Sequence, residues 1–296
     1  MASPRILICA TGTKGLEFVR HALGSFDVCA VVSYPQSNVT DDAYQHIAAL
    51  CKSSSIHCVE QKRPDFNSLP PFDVCFLVGW QFLLPQTDQR FIVFHDSLLP
   101  KYRGYGPTIS ALLDGETRIG VSALLPVTAM DAGPILGQEA IDISYPITIT
   151  QAFKHLSGCY NRLADHIVRA YIKGDYQSLA KPQNERLATY SLWRDAEDQW
   201  IDWSMPSDYI ERLVNALTYP YTGARTLFEG QELIIHDVRT EAETVFAERH
   251  PGKFWLLQDN QPTIVCGTGM LTILKATDTN GTPVQFTRLR TRFTNR

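Results

Sequence analysis

The sequence predicts an α/β protein in which a Rossmann-like, mostly parallel sheet with helices on both faces is followed by a small β-rich, OB-like domain. In the first part of the chain, short apolar runs alternate with segments whose apolar residues recur at helical spacing. Those runs are apolar on both faces, as expected for strands of a sheet that is covered on both sides. From about residue 190 short β-like runs separated by Gly, Asn and Asp take over. A chain of 296 residues with 44% hydrophobic content can build two cores.

The first five predicted strands come in a βα order. "RILICA" leads through a Gly/Thr turn into a helix that carries Leu16 and Val19 on one face. The strand "FDVCAVVSYP", a helix opened by the acidic pair of "DDAYQHIAALCKSS", and the strands "IHCVE", "FDVCFLVGW" and "FIVFH" follow. Ligands of such sheets bind beyond the carboxyl ends of the strands. We therefore expect functional residues in the loops that hold Gly12, Trp80 and His95.

The rest of the chain completes this sheet and then changes character. After "FIVFH" come the loop "DSLLPKYRGYGP", a short helix near "TISALLDG", the strand "IGVSALLPV", the turn "TAMDAGP" and a long helix ending at "YIKGD". The polar stretch "YQSLAKPQNERLATY" predicts a linker, which places one domain over 1–183 and a β-rich domain over 190–296. The second domain opens with a helix in "DWSMPSDYIERLVNAL" and continues as five or six short strands, the pattern of a small barrel or sandwich.

The composition indicates which kinds of partner and which cellular compartment to expect. A formal net charge of −4 without a long basic run argues against a nucleic-acid partner, because proteins that bind the phosphate backbone carry basic faces. The seven cysteines form no CxxC pair, which predicts a reduced, cytoplasmic protein without a metal site. No apolar stretch is long enough for a signal peptide or a membrane helix, so no membrane partner is expected.

His95 and Asp131 are the residues best suited to chemistry. His95 ends an apolar strand and enters a loop stiffened by Pro100 and Pro107. Its imidazole titrates near neutrality and can accept a proton from an attacking amine, provided that a carboxylate or carbonyl holds its tautomer. Asp131 lies in a turn after another strand of the same sheet and can supply that carboxylate. Each residue also has a structural interpretation: a satisfied histidine at a strand end, and a turn-forming Asp beside Gly133.

The stretch "HDSLLPKYRGYGPTISALLDGETRIGVSALLPVTAMDAGPIL" resembles the folate-dependent N-formyltransferase family, which includes methionyl-tRNA and nucleotide-aminosugar enzymes. Its histidine followed by SLLP and its later D-x-G match the family hallmark without a gap. The segments "ILICATG", "VGWQFLLP" and "IDWSMPSDYIERLVNAL" are also similar, so the resemblance covers nearly the whole chain. It implies transfer of a formyl group from 10-formyltetrahydrofolate to an amine, with His95 as the catalytic histidine and Asp131 as the catalytic carboxylate.

One position departs from the family pattern. The family has an asparagine two residues before the histidine, where this chain has Val93. By the resemblance, that asparagine donates to the formyl oxygen as it becomes an oxyanion, and losing one such donor typically costs about 10²–10³ in rate. Gln81, Ser97, Lys101 or a backbone N–H could take over, the transfer could be slow, or the site could perform a different reaction. Asp96 adds a carboxylate that either caps the loop turn or raises the pKa of the histidine.

The resemblance also implies two binding regions. The folate donor would lie against the loop lined by Trp80, Phe82 and Leu84 and against the backbone of Ala129 and Met130. Trp80 and Phe82 could instead plug the end of the sheet. The "TGTKG" turn could hold a phosphate at a helix N-terminus, and a plain βα turn explains it equally well. The acceptor would meet the loop after the histidine, at the residues Ser97, Lys101, Tyr102 and Arg103.

Within the resemblance, the predicted acceptor is an amine on a small molecule, in the first place a nucleotide-linked aminosugar. The region after the second strand, "SYPQSNVTDDAYQ", is short and acidic, which disfavours tRNA. The alternatives are a hydroxylated amino acid, a peptide-bound amine, methionyl-tRNA, hydrolysis of formyltetrahydrofolate by water, and a catalytically impaired folate-binding homologue. The second domain could serve assembly into a homodimer, acceptor binding or stability alone.

Overall fold

The chain forms two compact units. The computed structural model describes residues 3–36, 42–82 and 88–295, so Leu84 lies outside the described residues. The first unit runs to Ser110 and adds Thr117–Ile143 and Ala152–Trp193. The second comprises Ala111–Glu116, Ser144–Gln151 and the chain from Arg194 onward. The domain boundaries expected from the sequence, 1–183 and 190–296, stay predictions.

The elements that precede residue 194 begin with strands and helices in alternation, as the sequence pattern indicates, and continue as runs of strands separated by two helices. The strands are β1 (Arg5–Ala10), β2 (Asp27–Ser33), β3 (His57–Glu60), β4 (Val74–Val78), β5 (Phe91–His95), β6 (Arg103–Gly104), β7 (Arg118–Leu124), β8 (Ile135–Asp142) and β9 (Tyr190–Ser191). The helices are α1 (Gly12–Ser25), α2 (Tyr44–Ser53), α3 (Pro107–Leu113) and α4 (Ile149–Lys173). In the part of the chain that the structure describes, no helix combines the length and the apolar character needed to cross a membrane.

A seven-stranded sheet organises the first unit, and its topology confirms the predicted fold class. The strand order is β3-β2-β1-β4-β5-β7-β8. The pairs from β3 to β5 are parallel, whereas β7 is antiparallel to β5 and β8 to β7. The direction of strand addition reverses between β1 and β4. The carboxyl ends of these two strands therefore form the switch point at which ligands of doubly wound sheets bind.

The two faces of this sheet are buried by different parts of the chain. On one face the ring of Phe94 lies 5.4 Å from Phe18 of α1 and 5.6 Å from Tyr160 of α4, measured between centroids. On the other face the irregular segment after β3 brings Phe66 to 4.8 Å from the ring of Phe91. Because side chains alternate along a strand, Val93 and His95 point to the same face as Phe91.

The second unit is a curled antiparallel sheet, in line with the predicted OB-like domain. Its elements are α5 (Ser207–Ala216), β10 (Ala224–Phe228), β11 (Gln231–Glu241), β12 (Phe254–Gln258), β13 (Gln261–Val265), β14 (Met270–Asp278) and β15 (Phe293–Thr294), with strand order β12-β13-β14-β11-β10-β15. The two outer strands meet: the N–H of Phe254 donates to the carbonyl of Thr291 at 3.1 Å, and the N–H of Phe293 donates to that of Gly252 at 2.9 Å. These bonds close the sheet on itself around the rings of Trp203, Phe254 and Phe293.

The stretch 176–190, which the sequence predicts as a linker, forms backbone pairings within the first unit. Lys181 exchanges two backbone hydrogen bonds of 2.8 and 2.9 Å with Ile135 at the start of β8. Farther along, β9 pairs with β6 at Arg103 and Tyr190. Polar side chains of this stretch bind a buried arginine and a backbone turn, as described below.

Candidate active site

His95 and Asp131 converge at the end of β5, although the strand before Asp131 runs in the opposite direction. In the antiparallel pairing of β5 with β7, His95 lies opposite Ser122 and Val93 opposite Leu124, so β7 ends two residues past the level of His95. The turn that follows β7 folds back over this short distance. Asp131 Oδ2 thereby comes to 3.6 Å from His95 Nδ1.

The histidine ring is buried and its tautomer is set by the backbone. His95 is 7% exposed, and its Nε2 lies 2.8 Å from the carbonyl oxygen of Tyr102. Since a carbonyl only accepts, Nε2 carries the hydrogen and donates it there. In the neutral ring the lone pair is then on Nδ1, the nitrogen that faces Asp131. The site therefore presents a proton acceptor with a carboxylate beside it.

The Asp131 turn is held in place by three hydrogen bonds. The N–H of Gly104 donates to Asp131 Oδ2 at 2.8 Å, and the amide of Gln183 donates to the carbonyls of Asp131 and Gly133 at 2.7 and 2.8 Å. Asp131 has a φ of 50°, in the left-handed region. A Cβ on Gly133 would lie 1.7 Å from the carbonyl oxygen of Leu125, so only glycine fits there. Sequence reasoning missed Gln183, because it stands in a polar stretch with no motif of its own.

Electrostatics keep the His95 ring neutral. Burial lowers the pKa of His95 because it disfavours the charged form, while the Asp131 carboxylate and the Tyr102 carbonyl oppose this shift and the Lys14 charge adds to it. Burial is the largest of these effects. At neutral pH the ring is thus a base that can take up a proton.

A buried ion pair lies next to this histidine. Lys14 of α1 pairs with Asp96, and its ammonium also stands 4.4 Å over the ring of Phe153. Burial lowers the pKa of Lys14 to about 7 and raises that of Asp96 to about 7, the latter opposed by the Thr108 hydroxyl. Asp96 is therefore neither a simple turn cap nor a partner of the imidazole. The lysine of the "TGTKG" turn is engaged by this carboxylate.

Val93 lies where the family has its asparagine, and its surroundings are apolar. It is half-buried on β5 and packs against the cluster that contains Cys75, Leu77 and Phe91. Gln81, one of the side chains that could replace the missing donor, is exposed after β4.

Of the four predicted acceptor residues, Lys101 and Tyr102 are accessible to solvent, whereas Ser97 and Arg103 are buried. Lys101 is exposed and Tyr102 is half-buried, and both lie in the loop between β5 and β6. Ser97 is buried and its hydroxyl donates to the carbonyl of Lys101 at 2.6 Å, which shapes the loop. Arg103 is 1% exposed, and its guanidinium donates to both carboxylate oxygens of Glu185 at 2.7 and 2.8 Å.

Arg103 also donates to Gln183, the residue that holds the Asp131 turn. Two of its nitrogens lie 2.8 and 3.1 Å from Gln183 Oε1. Glu185 raises the pKa of Arg103. Direct acceptor binding by Arg103 and Ser97 stays a prediction, and their engaged donors favour a supporting role.

Aromatic side chains line the edge of the sheet beside the switch point. Trp80 and Phe82 are half-buried, with ring centroids 6.2 Å apart. Tyr34, which follows β2 directly, contacts both and was missed by the sequence reasoning. Ala129 and Met130 are exposed in the turn that leads to Asp131. Within the described ranges, no three or more His, Cys, Asp and Glu side chains are grouped so as to hold a metal ion.

Two family models match separate stretches of this chain. A family model described as "Formyl transferase" matches residues 32–171, and one described as "Formyl transferase, C-terminal domain" matches residues 194–292. The methionyl-tRNA formyltransferase of Chloroflexus aurantiacus is 37% identical over 145 residues, which cover 49% of this chain and 46% of that protein. The enzyme of the same name from Roseobacter denitrificans is 32% identical over 211 residues, 69% of this chain and 65% of that protein. The matches thus span about half to two thirds of these relatives.

A solved structure gives the same fold over a longer range. The N-formyltransferase from Helicobacter canadensis, in complex with folinic acid and dTDP-3-aminofucose, has a TM-score of 0.64 against this chain at 14% identity. The match covers 91% of this chain and 98% of that one. At this identity the likeness shows the fold alone.

Proposed function

Because the chain belongs to the formyl transferase family, we propose that it moves a formyl group from 10-formyltetrahydrofolate to the amine of a small-molecule acceptor. The observation that carries this proposal is the approach of His95 Nδ1 to the Asp131 carboxylate at 3.6 Å. A buried, neutral imidazole beside a fixed carboxylate is the arrangement that general-base catalysis on an amine requires.

The residues of the site can manage the proton that the acceptor loses. An amine that attacks the formyl carbon must give up a proton as the new N–C bond forms, and the bond from that carbon to N10 of the folate breaks as N10 takes up a proton. His95 can take the proton of the amine only on Nδ1, because its Nε2–H is bonded to the carbonyl of Tyr102. The resulting imidazolium faces Asp131, whose charge stabilises it in a buried place where Coulomb attraction is stronger than in water. The Gly104 N–H and Gln183 keep that carboxylate in position.

The donor has a suitable place at the edge of the sheet. When bound, 10-formyltetrahydrofolate supplies the activated formyl group. Trp80 and Phe82 offer flat apolar surface beside the switch point, and the exposed backbone of Ala129 and Met130 lies on the turn that carries Asp131. Planar ligands are typically bound by such aromatic walls together with a few polar groups. We assign the donor to this region.

The preferred acceptor is a nucleotide-linked aminosugar. The Helicobacter canadensis enzyme, which has the same fold, was solved with such a sugar, and the chain carries a net charge of −4 that disfavours a polyanionic partner. Methionyl-tRNA is the second candidate, favoured by the names of the curated relatives. A cytoplasmic location fits the seven cysteines, all of which are free.

The proposal is tested by identifying the product. Purified protein is incubated with 10-formyltetrahydrofolate and a panel of aminosugar nucleotides, amino acids and charged initiator tRNA, and formylated products are read by mass spectrometry. We expect a formylated aminosugar nucleotide and no formyl-methionyl-tRNA. Formylation of the tRNA alone would select the second candidate. Release of formate without any formylated amine would contradict amine transfer and favour hydrolysis.

A further inference from the structure

Two acceptors compete for the hydrogen of the neutral His95 ring. Nε2 lies 2.8 Å from the carbonyl oxygen of Tyr102, and Nδ1 lies 3.6 Å from Asp131 Oδ2. A charged carboxylate accepts a hydrogen bond more strongly than a carbonyl, so Asp131 favours the hydrogen on Nδ1. In that tautomer Nδ1 has no lone pair with which to take up the proton of an amine. The ring is therefore a base on this side only while the Tyr102 carbonyl holds the hydrogen on Nε2.

The backbone that carries the Tyr102 carbonyl has an unfavourable conformation. Tyr102 has a φ of 60°, in the left-handed region that residues with a Cβ rarely adopt, and such backbone persists only where its surroundings hold it. Here the peptide before Tyr102 is held at both ends. The carbonyl of Lys101 accepts from the Ser97 hydroxyl at 2.6 Å, and the N–H of Tyr102 donates to Thr189 Oγ1 at 2.9 Å.

Ser97 is held in turn by a serine of the neighbouring strand. Ser122 of β7 lies directly opposite His95, and its side chain is fully buried. Its hydroxyl donates to the carbonyl of Ser97 at 2.6 Å and accepts from the N–H of Leu99 at 3.0 Å and from the amide of Gln138 at 2.8 Å. A hydroxyl has one hydrogen and two lone pairs, so Ser122 uses its full bonding capacity on the loop and on β8.

The burial of these two serines makes their hydrogen bonds hard to replace. Ser97 and Ser122 are 3% and 0% exposed, whereas Thr189 is exposed. Water replaces a lost hydrogen bond at an exposed site, but at a buried site the freed partner stays unsatisfied. We call Ser97 and Ser122 the serine pair. The conformation of the loop after His95 thus depends on the serine pair more than on Thr189.

We propose that the serine pair consists of positioning residues that select the basic tautomer of His95. Ser122 fixes the backbone of Ser97, and the Ser97 hydroxyl fixes the peptide before Tyr102. The Tyr102 carbonyl then holds the hydrogen on Nε2 against the attraction of Asp131. The role of the selected tautomer in catalysis rests on the proposed function, whereas the selection itself is a property of the protein alone.

The first measurement determines the tautomer without any substrate. The ring nitrogens of His95 are observed by NMR at pH 8 in protein labelled at the histidine nitrogens, and their signals are assigned by their absence from His95→Asn. We expect the wild type to contain the Nε2–H tautomer alone. In Ser97→Ala and Ser122→Ala we expect a second set of shifts from the Nδ1–H tautomer. Ser122→Thr, which keeps the hydroxyl, should give the wild-type tautomer.

The second measurement compares formyl transfer to the amine that the product panel identifies. In Ser97→Ala and Ser122→Ala, kcat should fall about 10–100-fold, because small displacements of a catalytic group lower the rate steeply. KM for 10-formyltetrahydrofolate should stay within about threefold, since neither serine is assigned to donor binding. The matched control is Thr226→Val, which removes a fully buried hydroxyl that accepts from Trp203 Nε1 at 2.9 Å in the second unit. This control should lower stability and leave kcat unchanged.

Each result bears on one claim. An unchanged tautomer in both alanine variants would overturn the inference and leave formyl transfer standing. A fall in kcat of Thr226→Val equal to that of the serine variants would also overturn it, because the effect would then follow stability alone. Ser97→Ala removes a single side-chain hydrogen bond and carries the test if Ser122→Ala does not fold. Absence of any formylated amine would overturn the proposed function, and the NMR measurement would still decide whether the serine pair selects the tautomer.

Discussion

At the scale of single residues, the direction of the His95 pKa is set by two opposing effects. Burial lowers the pKa below its ordinary value of 6.5, and the Asp131 carboxylate raises it. The ring loses its proton as the pH rises through that pKa, so the rate of a reaction that needs the neutral base rises there.

The lowered pKa of His95 predicts how the reaction rate depends on pH. The acidic limb of kcat/KM against pH should have its midpoint below 6.5 in the wild-type protein. Asp131→Asn removes the charge that raises the His95 pKa, so its acidic limb should move to lower pH while the rate falls about 10²–10⁴-fold. Steady-state rates between pH 5 and 8 measure both. The shift between the two profiles isolates the carboxylate, and a shift to higher pH would contradict its assignment.

Val93 is the residue at which the sequence departs from its family. An apolar side chain cannot donate to a developing oxyanion, and restoring one donor is worth up to about 10²–10³ in rate. We therefore expect Val93→Asn to increase kcat, and Val93→Leu, which adds no donor, to leave it unchanged or lower. Single-turnover rates at saturating donor give the comparison. If Val93→Asn transfers no faster than the wild type, another group already fills the donor role.

At the scale of elements, the Lys14–Asp96 pair fastens the first turn of α1 to the residue after β5. Lys14→Met would leave the buried Asp96 carboxylate without its partner, which typically costs about 3–5 kcal/mol. The pKa of Asp96 is already raised to about 7 in the folded state, so the protonated form folds more readily. The cost should be small near pH 5 and grow as the pH rises toward 8, where the carboxylate must ionise.

Urea unfolding at pH 5 and pH 8 checks this prediction. The matched control is Lys14→Met/Asp96→Asn, which removes both charges and should lose the extra pH dependence of the single variant. A free energy of unfolding of Lys14→Met that falls equally at both pH values would show that the pair is not buried as described.

The short β6–β9 ladder and its polar neighbours position the Asp131 turn. Gln183→Leu removes two donors to that turn and one acceptor of Arg103, each buried bond being worth about 1 kcal/mol or more. We expect a loss of about 2–3 kcal/mol in stability and a fall in kcat with KM for the donor nearly unchanged. The control is Glu185→Gln, since Glu185 is 66% exposed and makes no contact with the Asp131 turn in the hydrogen bonds described above. Equal effects of both substitutions on kcat would argue against a positioning role for Gln183.

For the molecule as a whole, the fold class could be predicted because the succession of strands and helices along the chain follows local sequence pattern. The apolar runs and the helical segments predicted the parallel part of the sheet. His95 ends β5 and Trp80 follows β4, so both lie at the carboxyl edge where functional residues were expected. The features of the site that the sequence did not predict depend on contacts between residues far apart in the chain. Lys14 and Asp96 are 82 residues apart, with four strands between them. The polar stretch around Gln183 gives no sign that it binds a buried arginine. The antiparallel pairing of β7 with β5 could not be predicted either, because the hydrophobic periodicity of a strand does not indicate in which direction it pairs with its neighbour.

Replacing His95 tests most directly whether this residue accepts the proton of the attacking amine. Single-turnover formyl transfer and tetrahydrofolate binding are measured side by side for the wild-type protein and His95→Asn, with the acceptor identified from the amine panel. We predict that transfer falls about 10²–10⁴-fold in the variant while the dissociation constant for the folate stays within about threefold. Transfer by His95→Asn at a rate close to that of the wild type would contradict the account.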